Sequence, residues 1–273
     1  MTARYLGMAV LGAAMLAPAT AWAQRDRREA ADRRDQQADR RDARRDDRGP
    51  RETETINKTV AFPDRGTLRL KSFSGDVRIS STSGRDVVIK AVRRGTREQL
   101  DHIKLEVETN GSTVMVDANV KDQAWRDRDR DRWRDNNDGD VVDTQFDIQI
   151  PASAKLDIDV FSADVDVRGV SGDQRIKTFS GEITADLTPA GSTPSFDGET
   201  FSGGIRVRVA DGVKSGVRFD SFSGGLDSDM PVSMRSSSSS RYGWNNRGSV
   251  SSSGSADSTL RFHTFSGDVR ITK

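Results

Sequence analysis

Ile176-Lys177-Thr178-Phe179-Ser180-Gly181-Glu182-Ile183 holds the unit from which most of this chain is built. Apolar residues alternate on both sides of a Phe-Ser-Gly corner, and period-two alternation over four to six residues marks a half-buried strand. Glycine supplies the freedom a tight turn needs. The corner recurs as Phe73-Ser74-Gly75, Phe161-Ser162-Ala163, Phe201-Ser202-Gly203, Phe222-Ser223-Gly224 and Phe265-Ser266-Gly267. From Phe161 onward the phenylalanines are 18, 22, 21 and 43 residues apart, the last step covering two periods. A fixed period near 20 residues signals a stacked array, because one strand-turn-strand unit cannot bury its apolar face alone.

The expected fold is all-β: a β-solenoid-like stack of two-strand coils with an N-terminal β-hairpin region. An antiparallel meander or sandwich is the alternative. Pairing between positions about 20 apart defines the solenoid, and pairing across each Ser-Gly turn defines the meander. Looser corners at Ser171-Gly172-Asp173, Pro189-Ala190-Gly191 and Asp211-Gly212 complete each lap. Neighbouring strands lie about 4.8 Å apart. The corner residues Phe73, Phe161, Phe179, Phe201, Phe222 and Phe265 are therefore structural, with the rings of successive laps stacked in a column. Ser72, Thr178, Thr200, Ser221 and Thr264 precede these rings and form a hydroxyl ladder. Ala163 stands where the other corners have glycine, so that coil turns differently. The segment Phe265 to Ile271 repeats Phe73 to Ile79 and is expected on an open terminal edge, which invites self-association.

Residues 1–23 read as a signal peptide: Arg4, an apolar run from Tyr5 to Leu16, and Ala21-Trp22-Ala23 before Gln24. Residues 24–55 are an Arg/Asp-rich linker expected to be disordered. Residues 56–150 form the N-terminal β region, with a charged insert at 121–140. Residues 151–273 form the repeat region, with a Ser/Gly-rich insert at 233–258. Within the first region Thr96 caps a short helical turn, and Asn110-Gly111 marks a hairpin.

Without the signal, 42 basic residues face 42 acidic ones, and this balance argues against nucleic-acid binding. The chain has no cysteine, so no disulfide framework and no lipid anchor on cysteine is available. His102 and His263 each lack a second ligand in sequence, and the run from Asp135 to Asp140 fails the calcium-loop pattern. No metal and no cofactor are expected. Acidic residues at the corners, Asp76, Asp164, Glu182 and Asp268, give way to Gly204 and Gly225 in other copies, unlike a catalytic carboxylate pair. Trp125, Trp133, Tyr242 and Trp244 all lie in the two polar inserts and are candidates for partner contact.

Three stretches, LRLKSFSGDVRI from Leu68, FDIQIPASAKLDIDV at 146–160 and the repeated TFSG corners, resemble a family of exported bacterial proteins described provisionally as adhesins of unknown function. The resemblance spans residues 56–273. It implies a β-strand repeat fold, an envelope or extracellular location, and no enzyme activity. The resulting expectation is a non-catalytic exported module of the cell envelope, periplasmic or on the cell surface. Its partner would be an envelope polysaccharide or another envelope protein, with no transmembrane segment. A polysaccharide-active β-helix enzyme and a self-assembling envelope scaffold are the alternatives.

Overall fold

The computed structural model describes residues 50–126, 141–189, 194–210, 215–229, 250–251 and 258–273. Alternation becomes strand wherever the sequence announced it. The N-terminal region holds β1 (Arg51–Ala61), β2 (Thr67–Ser74), β3 (Val77–Thr82), β4 (Asp86–Thr96), α1 (Arg97–His102), β5 (Ile103–Asn110), β6 (Thr113–Lys121) and β7 (Asp143–Pro151). The repeats hold β8 (Lys155–Ser162), β9 (Val165–Val170), β10 (Gln174–Ser180), β11 (Ile183–Leu187), β12 (Phe196–Ser202) and β13 (Ile205–Val209). They continue through β14 (Ser215–Ser223), β15 (Leu226–Ser228), β16 (Val250–Ser251), β17 (Ser258–Ser266) and β18 (Val269–Thr272).

These strands form two nine-stranded sheets. One runs β16-β14-β17-β12-β10-β8-β2-β6-β5, the other β1-β4-β7-β3-β9-β11-β13-β18-β15. Each coil gives its first strand to one sheet and its second to the other. Thr178 pairs in parallel with Val160 on one side and Thr200 on the other, at the predicted spacing. The solenoid is confirmed, and pairing across the Ser-Gly corners does not occur. Leu70, Ile158, Ile176 and Phe262 from one sheet and Ile79, Val167, Ala185 and Ile271 from the other belong to a single buried core.

The corners remain hydrogen-bonded from coil to coil. The N–H of Gly181 donates to the Ser202 carbonyl, that of Gly203 to Ser266, and that of Gly267 to Ser223. A Cβ on Gly181, Gly203, Gly224 or Gly267 would collide with the carbonyl oxygen of the corner residue one coil away. Glycine is thus required here by close backbone approach, which adds to its value in the turn. Among the described residues Arg65 alone has positive φ without being glycine, so Ala163 does turn without left-handed geometry.

The last coil corrects the sequence reading. Strand β17 lies between β12 and β14, and β18 between β13 and β15. Phe265 to Ile271 is therefore interior to the stack, and self-association through a C-terminal edge has no free edge there. The sheets end instead at β16 and β5, and at β15 and β1. The reason is that the Phe-Ser-Gly coils are interchangeable in register, so chain order does not dictate stacking order.

At the other end antiparallel strands close the stack. Strand β4 pairs with β1 and β7, and β5 and β6 form a hairpin turned at Gly111, whose φ is 58°. Strand β1 begins at Arg51, inside the segment that composition assigns to the linker. Thr96 caps α1 through a reciprocal pair of hydrogen bonds with Gln99. Arg93, 1% exposed, donates to the Glu54 carboxylate at 2.7 Å and to the Ile103 carbonyl, tying β1, β4 and β5 together.

Candidate functional site

Strand parity decides what faces water. In β10, Ile176 and Thr178 point inward, so Lys177 and Phe179 share the outer face. The same parity holds in β2, β8, β12, β14 and β17, and it lines like residues up across the sheet. The six corner rings form one uninterrupted column in the order Phe73, Phe161, Phe179, Phe201, Phe265, Phe222. Successive centroids are 4.5–4.8 Å apart and the rings lie within 17° of parallel. The rings are 41–60% exposed. The rings stack lap upon lap on the outside of the molecule.

Beside it runs an open groove of about 1030 Å³. Its floor follows Ser72, Val160, Thr178, Thr200, Thr264 and Ser221, the hydroxyl ladder with one valine. There the Thr264 hydroxyl donates to Ser221 Oγ at 2.9 Å, and that of Thr178 to the Ala163 carbonyl at 3.2 Å. The far wall is a second column, two residues back along each strand: Asp117, Lys71, Asp159, Lys177, Glu199, His263, Asp220. Signs alternate along it. Lys177 pairs with Glu199, and His263 Nδ1 lies 3.5 Å from Asp220. A third column, Arg69, Asp157, Arg175, Asp197, Arg261 and Arg218, alternates in sign as far as Arg261 and ends on two adjacent arginines.

The acidic corner row has a structural task. Asp164 accepts the Glu182 N–H at 2.7 Å, and Asp268 accepts that of Gly225 at 2.8 Å. Asp173 does the same for Ser195 at the opposite corner, at 3.1 Å. Its bond with Lys155 lowers the Asp173 carboxyl from the usual range, against the opposing effect of partial burial, and the Ser195 N–H adds to the lowering.

Of the four insert aromatics, Trp125 is buried, in a small cluster with Leu100, Ile103 and Val142. Its ring lies 5.4 Å from that of His102, whose Nδ1 is 2.8 Å from Asp122. The Trp125 backbone N–H, followed by the His102 bond, holds the Asp122 carboxyl low. This residue thus folds back onto the scaffold at the root of the insert. Trp133, Tyr242 and Trp244 lie outside the described residues, as does the whole of residues 1–49, where a signal peptide and most of the linker are expected. Among the described residues no three His, Asp or Glu gather as a metal site, and no helix is long and apolar enough to cross a membrane.

Two parallel-wound sheets carrying an external aromatic column define a β-solenoid repeat protein. The chain belongs to the Toastrack family DUF4097, whose model matches residues 65–272. No curated protein matches it in sequence. Among solved structures it is similar to a "putative cell adhesion protein" from Clostridium sporogenes, at 8% identity and a TM-score of 0.57 over 81% of this chain and 99% of that one. It also matches a "putative adhesin" from Bacteroides fragilis, at 10% identity and TM-score 0.31 over 80% and 97%. A third match is a "putative lipid binding protein" from Parabacteroides distasonis, at 10% identity and TM-score 0.22 over 82% and 98%. The first of these shows a shared fold.

Proposed function

We propose that this chain is a non-catalytic, adhesin-like binding module of the bacterial envelope, exported to the periplasm or cell surface, with the phenylalanine groove as its contact surface. The observation that carries this reading is the half-exposed six-ring column. Phenylalanine contributes most to stability when its area leaves water, so a whole column kept at the surface is suited to a partner that covers it. The adhesion name carried by the Clostridium relative and the signal-like N-terminus agree with this placement.

The test is retention of peptidoglycan, lipopolysaccharide and outer-membrane vesicles on the immobilised protein, compared with a Phe179→Ser/Phe201→Ser variant of unchanged circular dichroism. Retention of at least one fraction, lost in the variant, is the expected result. Equal retention by both proteins, or none by either, overturns the reading.

A further inference from the structure

The way the rings stack restricts what the groove accepts. Each inner ring has both faces covered by its neighbours, with interplanar angles of 0–17°, so only C–H edges meet solvent. Sugars and cations approach aromatic rings over an open face, while the edge carries the positive part of the quadrupole. Only the end rings, Phe73 and Phe222, keep a face free of ring contact within the column. What remains is a continuous apolar rail, roughly 23 Å long for five steps at strand spacing. The charged wall stands two residues away along each strand, roughly 6.6 Å, which leaves room for one slender chain.

That wall is not neutral. Four carboxylates, Asp117, Asp159, Glu199 and Asp220, stand against Lys71, Lys177 and His263, so the sum is negative in either state of the histidine. Lys177 is already paired with Glu199. At the β6 end Asp117 and Asn119 both line the groove, and the Asn119 backbone N–H donates to Asp117 Oδ1 at 3.0 Å. A carboxylate at the end of a wall of net negative charge favours a donor that also carries positive charge.

We propose that the groove holds an elongated, unbranched apolar chain with a cationic head group. The chain lies along the ring edges toward Phe222, and the head sits at Asp117, at the β6 end of the wall. This rests on the groove being the binding surface named above and specifies its ligand class.

The test is calorimetric titration of the full protein with dodecylammonium, dodecyl maltoside and dodecanoate, each below its micelle concentration. Dodecylammonium is expected to bind about tenfold more tightly than either of the others, the factor one charge-assisted contact supplies. Phe179→Ser/Phe201→Ser weakens all binding, and Asp117→Asn removes the head-group preference while leaving the maltoside unchanged. Equal or tighter binding of the maltoside or dodecanoate overturns the ligand class yet leaves an envelope-binding groove standing. Alkyl binding that ignores the phenylalanine pair overturns the placement. No alkyl binding, with ring-dependent envelope retention intact, overturns the proposal alone, whereas loss of that retention as well removes the binding module itself.

Discussion

The repeat coils and the N-terminal cap share one interior of valine, isoleucine and leucine but finish their surfaces by different means. In the coils, each lap copies the one below, so every outward residue meets its equivalent and columns of rings and charges arise. In the cap, β1, β4 and β7 run antiparallel, equivalent positions no longer coincide, and no ring column forms. Cohesion there comes from single interactions such as Arg93 with Glu54. Repetition thus distributes stability over many modest contacts, and the cap concentrates it in a few.

The sharpest probe of that contrast is the cap pair. Glu54→Ala leaves the buried Arg93 guanidinium without its counter-charge and is expected to cost about 3 kcal/mol in chemical unfolding. Arg93→Met leaves behind a carboxylate that is 46% exposed, and is expected to cost under about 1 kcal/mol. Equal costs would show that the cap does not depend on the pair's charge.

The coils respond to backbone spacing instead. Gly203→Ala drives a methyl group into the Gly181 carbonyl and is expected to lower stability by about 1–3 kcal/mol. At its neighbour Gly204 the nearest atom to an added Cβ is 3.4 Å away, so Gly204→Ala is expected to stay within about 0.5 kcal/mol of wild type. Thermal unfolding of the two variants side by side measures the difference.

The smallest effect lies at the opposite corner. The Asp173 carboxyl is lowered in the folded protein, so its contribution is present above the unfolded value of about 3.9 and is lost as pH falls through the lower folded value. Asp173→Asn is expected to flatten the acid-side fall of the unfolding midpoint below about pH 4, with little change in its shape near neutrality. An unchanged acid limb would remove the carboxylate from the coil-to-coil contact.

Much of this architecture is legible in the sequence. The spacing of Phe161, Phe179 and Phe201 gives the lap length, Thr96 gives the helix cap, and Asn110-Gly111 gives the hairpin. The outward setting of the rings was also written there. Phe179 lies two residues from Lys177 and so shares its face, a parity signal that aromatic hydrophobicity obscures. The groove's charged wall follows from the same parity once register is known. The position of β17 is hidden by the corner repeat, which β14 carries as well, and only the outward charges separate the two: β17 sets His263 beside Glu199, where β14 would set the carboxylate of Asp220. Trp125 carries no periodic signal, since its partners come from two separate stretches, Leu100 with Ile103 on one side of it in sequence and Val142 on the other.

The interleaving of the last coils bears on how the molecule winds itself. A nascent chain produces β14 and β15 before β17 and β18, yet the later pair occupies the berth beside β12 and β13. The earlier pair carries the same corner, but in that berth it would set Asp220 beside Glu199, so the place is left to the later pair. Assembly is therefore closer to closing a zip with one tooth held back than to spooling thread.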